Sequence, residues 1–255
     1  MPRRLSPWYR LGTAALWPLG IGLTGWHYMW RITPLHRREL AGSPEEDGPP
    51  SLPPTLARDE LQLADDGVGA LFHRRYQVRI VHPELAAEEL FERILADPNT
   101  VAPTEFARFR KVRGDAGHMA AADEYVVRMP GPWDGPVRVV EVAPTSFRLA
   151  TLVGHLEAGQ IEFRAEPAGD GDILFTIESW ARSGDRLSRL MYQGLRMAKE
   201  VQLHMWTSFL ERAVKLAGGR LEGGIDVETH AVAEARPVPR VAEQVAVRPA
   251  AGLCG

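Results

Sequence analysis

Apolar residues return every three or four positions between Asp185 and Ala217 (Leu187, Leu190, Met191, Leu195, Ala198, Val201, Met205, Phe209), the spacing that gathers them on one side of a helix. Arg189, Gln193, Arg196, Lys199 and Glu200 fall on the opposite flank. Ser183 or Asp185 can accept the free N–H groups of the first turn, and Gly218-Gly219 can take the left-handed conformation that ends the helix. A helix this long with one wet side requires a broad apolar surface to lie on, which the chain upstream must supply as a sheet.

That sheet is legible as a series of short segments: Glu124–Met129, Val137–Val142, Ser146–Val153, Gln160–Ala165 and Ile173–Trp180. The turns between them, at 130–135, 143–146, 154–159 and 167–172, are too short for crossover helices, so the strands pair as an antiparallel meander. Alternation marks Phe147, Leu149, Ile161, Phe163, Phe175 and Ile177 as one apolar face. Upstream, Phe72 to Val81 reads as a strand, and Pro83 opens a helix carrying Leu90, Phe91, Ile94 and Leu95 that stops at Asp97-Pro98-Asn99. Thr104–Val112 fits a helix or a strand, with strand the preferred reading. The expected class is α+β.

With 255 residues, 45% of them hydrophobic, the chain can bury one good core, and its ends look unsuited to it. Residues 1–40 carry six Arg against Glu39, and 41–70 carry seven acids against Arg58. Leu11–Trp30 holds no Asp, Glu, Lys or Arg but is interrupted by Pro18 and four glycines, with Trp8, Trp17, Trp26, Trp30, Tyr9 and Tyr28 in and around it. Aromatic and basic flanks of this kind suit a membrane surface, reached through residues 7–38, or equally a helix packed on the protein itself. The expected organisation is a basic, aromatic arm over 1–40, a Pro-rich acidic linker over 41–58, a folded domain over 59–224 and a disordered tail over 225–255. The single Cys254 excludes a disulfide framework and points to a reducing compartment, with the expected location cytoplasmic, at the inner face of the membrane.

Strand, helix, antiparallel meander and long final helix is the order of the helix-grip fold, in which a curved sheet of about six to seven strands wraps a C-terminal helix over a cavity. The order resembles the START-like, polyketide-cyclase-like (SRPBCC) superfamily. The segment TLVGHLEAGQIEF at 151–163 resembles the TLxGHxExGxxxF motif of an uncharacterised, largely actinobacterial family, domain of unknown function number nineteen-ninety. The resemblance covers roughly residues 70–217. It implies a fold and carries no established reaction.

His155 and Glu157 stand two apart in that motif, an imidazole beside a carboxylate that can serve as general acid and base. The alternative is that Gly154 and Gly159 shape a tight turn whose amides the two side chains brace. Tyr125, Trp133, Trp180, Tyr192 and Trp206 are candidates for an aromatic ligand-binding wall, or for ordinary core. His204 has no second ligand at metal spacing, so no metal is expected. No cofactor is expected either: there is no GxGxxG after a strand, no GxxxxGK[ST] loop and no GxSxG elbow. A mildly acidic chain does not suit nucleic acid. Three functions remain open: binding of a small apolar ligand (lipid, isoprenoid or polyketide-like), a cyclase or dehydratase using His155 and Glu157, and an interaction protein with no cavity.

Overall fold

The computed structural model describes residues 33–105, 107–129, 134–184 and 196–233. In chain order its elements are β1 (Leu35–Ala41), β2 (Val68–Val81), helix α1 (Ala87–Ala96), β3 (Arg108–Arg113), β4 (Glu124–Arg128), β5 (Asp134–Ala143), β6 (Ser146–Thr151), β7 (Glu157–Ala168), β8 (Asp172–Ser183), helix α2 (Arg196–Leu216) and β9 (Arg220–Val232). The strands form one sheet in the order β1-β9-β2-β8-β7-β6-β5-β4-β3. β1 runs parallel to β9, and every other neighbouring pair is antiparallel.

The α+β class and the meander stand as expected, but the sheet has nine strands where six to seven were expected. The extra strands come from both ends. β1 falls in the segment read as an arm, and β9 runs into the segment read as a disordered tail, so the domain does not end at 224. Nor is α2 the last element. Gly218, at φ +71°, turns the chain out of the helix, and the Gly218 and Gly219 amides donate to Lys215 and Val214 carbonyls at 3.1 and 3.3 Å. β9 was hidden by its glycines: Gly223 and Gly224 have φ of +73° and +121°, at a bulge where the pairing with β2 slips between Gln77 and Arg79. Beyond that bulge Ile225 and Val227 alternate inward and are buried. The expected start of the long helix, Asp185 to Leu195, lies outside the described residues, as does the apolar stretch 11–30.

Along β2, Tyr76, Val78 and Ile80 point inward, to a core shared with α1 and α2. Leu90, Phe91, Ile94 and Leu95 bury one side of α1; the Glu89 carboxylate accepts the Ala86 amide at its start, and Asp97 accepts the Asn99 amide just past its end. Phenylalanines join the layers: Phe147 stacks on Phe163 at 4.6 Å, Phe163 meets Phe209 of α2 at 5.0 Å, and Phe91 of α1 stacks on Phe175 at 5.6 Å. All five rings are fully buried.

The outer face of the sheet is covered too, by residues 42–63, where a free linker was expected over 41–58. Prolines 49, 50, 53 and 54 bring carbonyls without N–H groups, so this strap is held largely by donors reaching up from the strands. Gln160 donates to the Pro50 carbonyl and Arg148 to the Ser51 carbonyl, each at 3.0 Å, and Arg138 donates to the Ala57 and Asp59 carbonyls at 3.0 and 2.9 Å. Leu52 and Leu61 enter a second apolar cluster with Val140, Ala150 and Leu152. The buried guanidinium groups keep carboxylate partners, Glu124 for Arg138 at 2.7 Å and Glu141 for Arg148 at 2.5 Å. Among the described residues no helix is long and apolar enough to cross a membrane.

Candidate functional site

Two of the five aromatic candidates face the core between sheet and helices. Trp206 of α2 stands edge-on to Phe163 at 5.5 Å, and its indole N–H is buried with no acceptor among the described residues. A donor left in that state costs about 1–3 kcal/mol. Tyr125 of β4 meets Phe109 edge-on at 6.3 Å and lies under the Lys111 ammonium, 5.6 Å from the ring centre. Burial pushes its phenol pKa up, against the pull of Lys111. Trp133 and Tyr192 lie outside the described residues.

Trp180 belongs to the opposite face, which corrects its place in the aromatic wall. With Phe175 and Ile177 inward, the period of two sends residue 180 outward, a parity that was readable in the sequence. There it stacks on His73 at 5.3 Å, 12° from parallel, and packs with Ala64, Leu71 and Val232.

His155 and Glu157 frame the loop between β6 and β7, and their side chains turn to different partners. His155 Nδ1 accepts the Glu157 amide at 2.9 Å, and its Nε2 edge lies against Gly135. Burial lowers the pKa of this imidazole, with Glu157 opposing, so the ring is held neutral. The Glu157 carboxylate accepts from Gln202 of α2 at 3.1 Å and lies 3.9 Å from Arg74. Gly154 sits at φ +100°, as a tight turn requires, whereas Gly159 is needed for a different reason: a side-chain carbon there would collide with the Trp180 carbonyl. The strap clasps the loop from outside. Gln62 donates to the His155 and Glu157 carbonyls at 3.0 Å and accepts from the Gly154 amide at 3.3 Å.

The outer face also gathers a buried polar cluster that sequence spacing did not reveal, because its members come from four distant segments. On β2, His73 lies across from His230 of β9 on one side and Trp180 of β8 on the other. Its Nε2 meets Glu178 Oε1, and its Nδ1 meets Asp47 Oδ1 of the strap, both at 2.7 Å. Burial works against a charged His73, but the Glu178 and Asp47 hydrogen bonds outweigh it and raise its pKa. Burial likewise opposes the Glu178 charge, and His73, Arg75 and Arg164 overcome it, bringing the carboxyl down to about 2. Asp47 is lowered on the same balance, burial against His73, Ser43 and His230. His230 Nδ1 reaches the same Asp47 Oδ1 at 2.9 Å, so where no metal set was expected, two imidazoles and a carboxylate converge.

A protein family described as a domain of unknown function (DUF1990) matches residues 67–212, more than half of the chain. The chain belongs to the DUF1990 family. Solved structures resemble it at low identity. A conserved protein from Geobacillus kaustophilus is 15% identical over 58% of this chain and 98% of its own, with a TM-score of 0.42. Norcoclaurine synthase from Thalictrum flavum, solved with dopamine and hydroxybenzaldehyde, is 10% identical over 65% of this chain and 96% of its own, also at 0.42. A hypothetical protein from Helicobacter pylori is 8% identical over 56% and 86%, with the same score. No curated protein matches.

The DUF1990 match holds His73, His155, Glu157, Glu178 and Trp206. Asp47, Gln62 and His230 lie beyond its ends. The strap and β9 therefore add polar groups to the DUF1990 sheet on the side away from the helices.

Proposed function

We propose that this DUF1990 domain binds a small, largely apolar ligand bearing a hydrogen-bond acceptor, between the inner face of the sheet and α2, with Trp206 as its polar anchor. The Trp206 N–H, buried and without an acceptor among the described residues, carries the reading: an acceptor brought by the ligand satisfies it, and the phenylalanines around it match a lipid, isoprenoid or polyketide-like body. The acid–base alternative remains chemically coherent in one respect, since a neutral His155 can take a proton. Binding is preferred because His155 Nδ1 is already occupied by its own turn.

The test uses Prodan, an apolar fluorophore with a ketone acceptor. Its emission should shift to the blue on binding, and Trp206→Phe should weaken that binding about five- to tenfold, the worth of one hydrogen bond. Unchanged affinity in Trp206→Phe would refute the anchor. Native mass spectrometry of protein from its own host should then show a co-purified mass of lipid size.

The arm is proposed to bring the domain to an anionic membrane surface through its Trp and Arg residues. Since Leu35–Ala41 is a sheet strand, removing everything before residue 59 would damage the fold, so the arm is tested with Trp8, Trp17, Trp26 and Trp30 changed to Ala. Parent chain should float with anionic liposomes and the variant should not; equal flotation refutes the arm's role.

A further inference from the structure

We propose that Asp47, His73 and His230 form a binding site for one divalent first-row transition ion of the zinc type, on the face of the sheet away from α1 and α2. His73 is hydrogen-bonded through Nδ1 to Asp47 Oδ1 at 2.7 Å, His230 brings its Nδ1 to 2.9 Å from the same oxygen, and the three ligand atoms lie within 4.8 Å of one another. Zinc bonds of about 2.0–2.2 Å in a tetrahedral arrangement set ligand atoms about 3.4 Å apart, so binding an ion moves Asp47 Oδ1 off each nitrogen by about half an ångström and draws the three atoms around a common centre. Two imidazoles and a carboxylate are the donor set such ions prefer.

The surroundings are built as a metal site requires. The other nitrogen of His73, Nε2, is hydrogen-bonded to the Glu178 carboxylate at 2.7 Å, and His230 Nε2 lies 3.5 Å from Glu228. An Nε2–H given to a carboxylate leaves the Nδ1 lone pair for the ion and makes it more basic, the carboxylate–histidine–metal arrangement. Asp47 is held in place independently. Its Oδ2 accepts the Ser43 amide at 2.8 Å, its own amide donates to the Ser43 carbonyl at 2.9 Å, and Gly42 docks this turn on β9 through the Ala231 carbonyl at 3.0 Å. Stacking on Trp180 fixes the His73 ring. His73 and Asp47 are buried, while the His230 side chain is 27% exposed, which gives an ion its entry and a water the remaining position. The bound ion would fasten the 42–47 turn to β2 and β9.

The experiment titrates cobalt(II) into the untagged full-length chain, stripped of metal with EDTA and dialysed, near neutral pH. One equivalent should bind with visible ligand-field bands, and zinc should displace it. His230→Gln, at the exposed rim and checked for fold by circular dichroism, should weaken binding about a hundredfold and abolish the bands, as should His73→Gln if it folds. Glu178→Gln, which removes only the carboxylate behind His73, should weaken binding about tenfold. Absence of a cobalt spectrum in the parent chain, or equal binding by parent and His230→Gln, overturns the proposal and leaves Asp47 as the hydrogen-bond partner of His73.

Discussion

Replacing Glu178 by Gln tests the claim that charge, not shape, holds the outer face together. Glu178 is buried yet ionised, hydrogen-bonded to His73 at 2.7 Å, to Arg75 at 2.8 Å and to Arg164 at 2.6 Å. Its carboxyl moves from 4.5 to about 2 on folding, which at about 1.4 kcal/mol per pH unit corresponds to about 3 kcal/mol of stability. The sign follows from proton uptake. As pH falls below 4.5 the unfolded chain takes up a proton at this group before the folded one does, so the stabilisation is complete above 4.5 and disappears as pH approaches 2. The amide is nearly isosteric but has no charge to lose. Urea unfolding in EDTA-containing buffer, from neutral pH down to about 2.5, should show the parent more stable by about 3 kcal/mol at neutral pH, with the two curves converging at the acid end. A difference that stays constant across the whole range would refute the reasoning, because a packing effect does not titrate.

Leu52→Ala should cost about 2 kcal/mol and speed tryptic cleavage at Arg58, because Leu52 fills the cluster under the strap; an unchanged melting curve would return 42–58 to the status of a free linker. Gly159→Val should prevent folding or lower the melting temperature steeply, since no rotamer moves a side chain off the Trp180 carbonyl, whereas Gly154→Val should act through its φ of +100° alone and cost less; melting the two side by side decides. His155→Ala should lower the melting temperature by only about 2–4 °C, the loss of roughly one hydrogen bond to the Glu157 amide, and a larger drop would mean the imidazole does more than brace its turn.

Local patterns carried the middle of the chain. The meander from Glu124 to Trp180, the helix on Leu90, Phe91, Ile94 and Leu95, and the glycine stop at Gly218 all follow from periods and turn residues within a few positions of one another. What escaped depends on partners far away in sequence. Prolines 49 to 54 describe a linker by composition, and only the donors Gln160, Arg148 and Arg138 on remote strands turn them into a covering layer. The Asp47, His73 and His230 convergence needs β9 beside β2, which no local spacing encodes. Trp180 was misplaced although its parity relative to Ile177 was in plain view. Of the aromatic wall, Tyr125 and Trp206 face the core as a wall would, and the buried state of the Trp206 N–H could be learned only from the fold.

The position of β9 sets a schedule for synthesis. β1 has one neighbour in the sheet, and that neighbour is β9, with Leu35 opposite Ile225, 190 residues later. Strands β3 to β8 can pair as they leave the ribosome and β2 once β8 has emerged, while the segment 35–41 must wait for the far end of the domain. At roughly 5–20 residues per second the wait is about 10–40 s. During that interval the nascent chain carries an unpaired strand, open to a chaperone before the sheet claims it.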